Sequence, residues 1–136
     1  MKAKELVALA IQARENAYCP YSGFAVGAAL ECADGTVYTG CNIENAAFGP
    51  SICAERTAVF KAVSEGQREF RALAVVGGKA DVPVCHECPP CGVCRQVLRE
   101  FCGDEFAIHL SDGKTLRTLS LAELLPESFR AEGQLT

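Results

Sequence analysis

Apolar and polar side chains recur with two different periods along this chain, and the changes of period predict its secondary structure. Residues 4–17 repeat apolar side chains at helical spacing, which predicts an amphipathic helix that ends before Pro20. Residues 24–32 and 36–43 have the composition of strands and flank a turn at 33–35, which predicts a hairpin. The first third of the chain therefore predicts a helix that packs on an antiparallel strand pair.

The remainder of the chain alternates helical patterns with strand patterns. Strands separated by helices of this length need crossover connections, which predict a mixed sheet covered by helices on both faces. One of these strands is almost entirely apolar, as expected for a strand that is buried on both faces. The predicted elements are a helix over 51–66, a strand over 71–77, a helix over 93–101, strands over 105–111 and 114–119, and a short helix over 120–125.

Composition narrows the possible partners of the protein. With 136 residues, of which 49% are hydrophobic, the chain is predicted to form one domain over residues 1–136. Its formal net charge of -4 disfavours nucleic acids and anionic membranes and favours a small neutral ligand. Charged residues interrupt the N-terminal apolar pattern, and no later apolar run is long enough to span a bilayer. We therefore expect a cytoplasmic protein.

Nine cysteines are an unusually high number, and three of them have the spacing of metal ligands. Cys91 and Cys94 are three residues apart at the start of a predicted helix, so they share one helix face. Cys53 is in the first turn of another predicted helix. Helix N-termini stabilise thiolates, so two converging helix starts could hold all three sulfurs around zinc. Three protein ligands leave the fourth tetrahedral position open, which is typical of a catalytic zinc site.

Two neighbours of Cys53 complete the predicted chemistry. Three thiolates overcompensate the charge of zinc, which would make it a weak Lewis acid. Arg56 follows Cys53 by three residues and is predicted to donate hydrogen bonds to a thiolate and return positive charge to the site. Glu55 is predicted to be the group that moves protons between a metal-bound water and the substrate.

The segments CAER and PCGVCRQ, which carry these residues, resemble the short cytidine deaminases that act on free nucleosides. YSGFAVGAA, GCNIENAAF and ELLPESF also resemble that family at matching places, so the resemblance covers nearly the whole chain. It implies a three-layer α/β/α cytidine-deaminase-like fold with a central mixed five-stranded sheet. It also implies that zinc-bound hydroxide attacks C4 of cytidine or 2'-deoxycytidine while Glu55 shuttles protons. The products would be uridine or 2'-deoxyuridine and ammonia, as in pyrimidine salvage.

The same resemblance assigns further residues to the nucleoside. Asn42 and Glu44 match the ribose-binding pair of the family, and an amide with a carboxylate suits sugar hydroxyls. Ala54 matches a position whose backbone contacts the base edge. Phe24 and Phe129 match aromatic positions of the pocket, and Phe129 would reach it from a neighbouring subunit. The resemblance therefore implies a homotetramer with shared active sites.

Two departures from the family pattern leave alternatives open. Phe48, also expected at the substrate, stands where the family often carries tyrosine. The loop before PCGVC adds Cys85, His86 and Cys88, whose role the sequence does not define. Together with the motif they form a four-cysteine run that would also suit a structural metal or an iron-sulfur cluster in a binding module. A deaminase of modified cytosine nucleosides is a third hypothesis, and the sequence does not separate cytidine from 2'-deoxycytidine as the substrate.

Overall fold

The computed structural model describes residues 1–131, which form five strands and four helices. The last five residues of the domain predicted over 1–136 lie outside the described residues. In chain order the elements are α1 (Ala3–Arg14), β1 (Phe24–Cys32), β2 (Val37–Cys41), α2 (Ala54–Ser64), β3 (Phe70–Lys79), α3 (Gly92–Phe101), β4 (Ala107–Ser111), β5 (Leu116–Ser120) and α4 (Leu121–Leu124).

The strands form one mixed sheet in the order β2-β1-β3-β4-β5. β1 pairs antiparallel with both β2 and β3, and β5 pairs antiparallel with β4. Only β3 and β4 are parallel, and α3 makes the crossover between them. The predicted mixed five-stranded sheet is thus confirmed, and so is the antiparallel hairpin at its start.

Helices cover both faces of the sheet and enclose two separate apolar cores. Alternate residues of β1 point to opposite faces, so Leu30 belongs to one core and Ala29 to the other. The larger core lies between the sheet and α2, α3 and α4, whereas α1 packs on the opposite face. This arrangement confirms the predicted three layers. β3 is buried along most of its length, as its apolar sequence predicts.

Two glycines bring helix backbones into direct contact with the sheet. A Cβ atom at Gly27 in β1 would lie 2.0 Å from the carbonyl oxygen of Ala10 in α1. A Cβ atom at Gly40 in β2 would lie 2.5 Å from the carbonyl oxygen of Ala54 and 2.6 Å from the backbone nitrogen of Ala58 in α2. The beginning of α2 is therefore positioned by a contact between backbones.

The first helix ends earlier than its apolar pattern predicts. Instead of continuing to residue 17, α1 ends at Arg14, and the backbone nitrogen of Tyr18 donates to the carbonyl oxygen of Asn42 at 3.0 Å. The chain leaves the helix because this segment pairs with the one that follows β2. Arg14 fixes the junction, since its side chain donates to the carbonyl oxygens of Ala25 at 3.1 Å and Val82 at 2.9 Å.

In residues 1–131, every helix falls short of the length and apolar character that a membrane crossing requires.

The contact at Gly27 predicts a large effect of a small substitution. Gly27→Ala would place a methyl group inside the backbone of α1, so we expect the free energy of unfolding to fall by about 2 kcal/mol or more. Gly103→Ala is the matched control, because a Cβ atom there would meet nothing within 4 Å. Urea unfolding midpoints measure both. Equal midpoints for the two variants would contradict the close packing of α1 on β1.

Candidate metal centre and adjoining cavity

The ends of two helices bring together the three thiols that the sequence singled out. Cys53 is the residue that precedes α2, Cys91 precedes α3, and Cys94 is in the first turn of α3. The Sγ atoms of Cys53 and Cys91 are 3.8 Å apart, and those of Cys91 and Cys94 are 3.5 Å apart. All three sulfur atoms lie within 4.8 Å of one another. The predicted grouping is therefore present, although Cys53 and Cys91 cap their helices rather than lying within the first turn.

The local backbone leaves these sulfurs free to act as ligands. Cys53 and Cys91 both have extended φ and ψ angles, and neither side chain bonds to the backbone of the helix that it precedes. The sulfurs instead lie near two helix N-termini, where free N–H groups and the helix dipole stabilise negative charge. This position suits sulfur ligands of a cation.

The donor set fits a zinc ion. A tetrahedral zinc ion with Zn–S distances of about 2.3 Å separates its sulfur ligands by roughly 3.8 Å. The two Sγ distances given above are close to this value. Sulfur donors suit zinc, and with three of them one tetrahedral position remains for another ligand.

Hydrogen bonds distribute charge within the cluster. Donation from Cys94 and from Arg56 lowers the pKa of the Cys53 thiol to about 5, although burial acts in the opposite direction. The pKa of Cys94 is raised well above its usual range, first by that donation and then by burial. The Nη2 atom of Arg56 is 3.4 Å from the Sγ atom of Cys53. Arg56 therefore lies where the sequence predicted it, beside the thiol that carries negative charge most readily.

Glu55 combines deep burial with an unused polar atom. Its side chain is only 4% exposed, and its Oε1 atom has no hydrogen-bond partner among residues 1–131. Burial raises the pKa of this carboxyl to about 7. An unpaired buried oxygen is unfavourable for folding, so its presence beside the cysteine cluster points to a role toward a ligand.

A cavity of about 390 Å³ opens beside the cluster. This volume lies within the range typical of small-molecule sites. Glu44, Phe48 and Ser51 also line a second cavity of about 380 Å³, so they form the boundary between the two spaces. The residues that line the first cavity are Val26, Asn42, Glu44, Phe48, Ser51, Ile52, Cys53, Glu55, Arg56, Cys88, Pro89 and Cys91.

The two residues expected at the ribose line this cavity and are held in fixed orientations. The Oδ1 atom of Asn42 accepts from the backbone nitrogen of Val26, and its Nδ2 atom donates to the carbonyl oxygen of Phe24, each at 2.8 Å. The Glu44 carboxylate accepts from the Ser22 hydroxyl and from two backbone nitrogens at 3.0 Å. These bonds, chiefly those from Ser22, lower the pKa of Glu44. The side chains of Asn42 and Glu44 are therefore already oriented before a ligand binds.

The remaining predicted substrate residues differ in whether they line the cavity. Within residues 1–131, its lining includes Phe48, which is 80% exposed, but not Phe24, Ala54 or Phe129. Phe129 is 77% exposed, and its carbonyl oxygen accepts from Gln96 at 2.9 Å. The roles of these residues toward a nucleoside stay predictions.

Sequence reasoning missed part of the cavity wall. Ser51 and Ile52 were not predicted there, yet Ile52 pairs with Ile43 as an antiparallel bridge that leads the chain into α2. The sequence signal for Ser51 and Ile52 as wall residues is their position directly before Cys53. Cys88 was noted only as an added cysteine, and its position in the wall became visible only in the fold.

The added cysteine loop gives no geometric support to a second metal site. In the part of the chain that the structure describes, Cys53, Cys91 and Cys94 are the only group of three or more candidate ligands. His86 instead forms a bridge with Gly77 in β3. The four-cysteine run therefore does not converge on one point.

Comparison with known proteins points to one family. Residues 1–110 match the model of the cytidine and deoxycytidylate deaminase zinc-binding region. A cytidine deaminase of Sporosarcina psychrophila is 50% identical over 133 residues, which cover 97% of this chain and 94% of that protein. A blasticidin-S deaminase of Bacillus cereus is 31% identical over 107 residues, 76% of each chain. The crystal structure of a cytidine deaminase from Burkholderia pseudomallei has a TM-score of 0.86 at 45% identity, and the match covers 95% of this chain and 100% of that chain.

The cluster predicts which cysteines hold zinc. Cys53→Ser and Cys91→Ser should each weaken zinc binding by more than about 100-fold, because loss of an outer hydrogen-bond partner alone weakens it by about 10- to 100-fold. Cys85→Ser is the matched control, since this exposed thiol lies in the adjoining loop. Zinc content after dialysis against a chelator measures all three. Equal zinc loss in the Cys85 variant would instead make Cys85 a ligand.

Proposed function

The chain belongs to the cytidine and deoxycytidylate deaminase family, and from this premise we propose that it deaminates cytidine and 2'-deoxycytidine hydrolytically. The products are uridine or 2'-deoxyuridine and ammonia, as required for pyrimidine salvage. One observation carries the proposal: a buried carboxyl group with an unpaired oxygen lies beside three clustered thiols, at a cavity of about 390 Å³. The net charge of -4 agrees with a free nucleoside rather than a nucleic acid as the substrate.

The three clustered thiols are the proposed zinc ligands. Cys53, Cys91 and Cys94 would hold a zinc ion, which would supply the Lewis acidity that activates a water molecule at neutral pH. Arg56 supports this site by donating to the Cys53 sulfur, which reduces the negative charge that three thiolates accumulate. The need for reduced ligands favours a reducing compartment such as the cytoplasm.

Glu55 is the proposed proton carrier. In the net reaction, water provides the oxygen that replaces the amino group at C4, and the bond between C4 and that amino nitrogen breaks. Glu55 takes the two protons of the water one after the other and delivers one to ring atom N3 and the other to the departing nitrogen, which leaves as ammonia. Its burial supports this role, because a carboxyl group with a pKa of about 7 can both accept and donate a proton near neutral pH.

The remaining cavity residues would hold the nucleoside. Asn42 and Glu44 are proposed to bind ribose hydroxyls, and their fixed orientations support this because a preorganised site loses little entropy on binding. The backbone of Ala54 would contact the polar edge of the base. Phe24 and Phe48 would pack against the nucleoside, which aromatic rings do over a large apolar area.

We also propose a homotetramer in which neighbouring subunits complete each active site. Phe129 lies outside the cavity of its own chain and is 77% exposed, as expected of a residue that serves a neighbour. Phe48 lines the cavity and is 80% exposed, so it could face such a residue. Exposed aromatic side chains of this size are common at subunit interfaces.

Replacing the proton carrier tests the proposed chemistry. Glu55→Gln should retain zinc and fold but lower kcat for cytidine by about 1000-fold, because an amide cannot transfer the required protons. Glu100→Gln is the control, since this glutamate lies exposed on α3. Ammonia release and zinc content are measured for both. Substantial activity in a zinc-loaded Glu55 variant would exclude the proposed mechanism.

The shared site predicts complementation between two impaired variants. Phe129→Ala should lower kcat/KM by about tenfold or more, because the ring would be buried against the substrate. Coexpression of the Glu55→Gln and Phe129→Ala chains should restore about a quarter of the sites, in which Glu55 and the neighbour's Phe129 are both intact. Coexpression of Glu55→Gln with Cys53→Ser should restore none, because each of these chains carries a defect in its own site. No recovery in the first mixture would argue against shared sites.

A further inference from the structure

Cys88 is a cavity residue to which the proposed mechanism gives no role. It lines the same space as Cys53, Cys91 and Glu55, and Pro89 next to it is also part of the wall. Its sulfur does not belong to the cluster of three Sγ atoms within 4.8 Å of one another. Burial raises the pKa of its thiol to about 11, so this side chain remains a neutral, weakly polar group.

The position of Cys88 is set by a glycine behind it. A Cβ atom at Gly77 would lie 2.8 Å from the Sγ atom and 3.0 Å from the Cβ atom of Cys88. The same Cβ atom would lie 3.1 Å from the ring of Phe24. Cys88 and Phe24 therefore both rest on the bare backbone of β3, and Cys88 has little room to retreat from the cavity.

The loop that carries Cys88 is anchored on both sides. Before it, His86 pairs with Gly77, and the Glu87 carboxylate accepts from Arg117 in β5 through both of its oxygens, at 2.8 and 3.2 Å. After it, two consecutive prolines restrict the backbone up to Cys91. A wall residue fixed in this way can define the shape of a pocket.

The chemistry of the base indicates which part of the substrate this wall would face. The reacting carbon C4 of cytosine has two ring neighbours, N3 and C5. N3 needs polar partners and the proton that Glu55 would deliver, whereas C5 carries only hydrogen. The side chains of Cys88 and Pro89 offer no strong hydrogen-bonding group, so they suit the C5 edge.

We propose that Cys88 is a specificity-determining residue that limits the size of substituents at C5 of the cytosine ring. The inference rests on the proposed deaminase function and extends it to a substrate class, the 5-substituted cytosine nucleosides. A change of one methyl-sized group in such a wall alters discrimination by about 10- to 200-fold.

The test compares 5-methylcytidine with cytidine as substrates of zinc-loaded full-length protein. Cys88→Ala should raise the ratio of their kcat/KM values by about tenfold, and the larger Cys88→Val should lower it by about tenfold. Cys85→Ala, in the same loop but outside the cavity wall, should leave the ratio within about twofold of wild type. Calorimetry with 5-methyluridine and uridine measures the same preference as binding, without turnover.

The outcomes separate this inference from the proposed function. Opposite shifts for the alanine and valine variants, in turnover or in binding, support it. An unchanged ratio in Cys88→Ala, or an equal shift in Cys85→Ala, overturns it. Failure of the wild-type protein to release ammonia from either nucleoside would reject the proposed function instead, and the binding ratio would still decide the role of Cys88.

Discussion

Three thiol groups within 4.8 Å of one another bring negative charges close together when they bind a cation as thiolates, so nearby groups that stabilise negative charge favour the bound form. In this protein two helix N-termini and one guanidinium provide that stabilisation. A cysteine immediately precedes each of α2 and α3, and Arg56 donates to the first of these sulfurs. Both helices pack on the same face of the sheet, which brings their N-termini together at the cluster.

The sheet then arranges the rest of the site around the cluster. The segment that follows β2 carries Asn42 and Glu44 to the cavity, and it pairs with the residues that lead into α2. β3 supports the opposite loop, because Gly77 accommodates Cys88. Side chains from distant parts of the sequence thus surround one space of about 390 Å³.

The sequence predicted the parts of this structure that depend on short-range spacing. Cys91 and Cys94 must share a helix face because they are three residues apart, and Glu55 and Arg56 follow Cys53 by two and three residues. The pairing of β1 with β3, by contrast, is a long-range contact that the periodicity of apolar residues does not encode. Cys88 was therefore not recognisable as a wall residue, because its position depends on a glycine eleven residues before it in the sequence. The C-terminal limit of α1 was missed for a similar reason, since tertiary pairing overrode helical propensity.

The contact between Gly40 and the start of α2 has a consequence for the evolution of this fold. It joins two backbones and involves no variable side chain on the strand, so the height of Cys53 above the sheet does not depend on which apolar residues fill the larger core. Substitutions can therefore change the size and shape of the core residues while the Cys53 sulfur keeps its position above the sheet. Lineages with very different interiors could inherit the same metal geometry, provided that this one glycine persists.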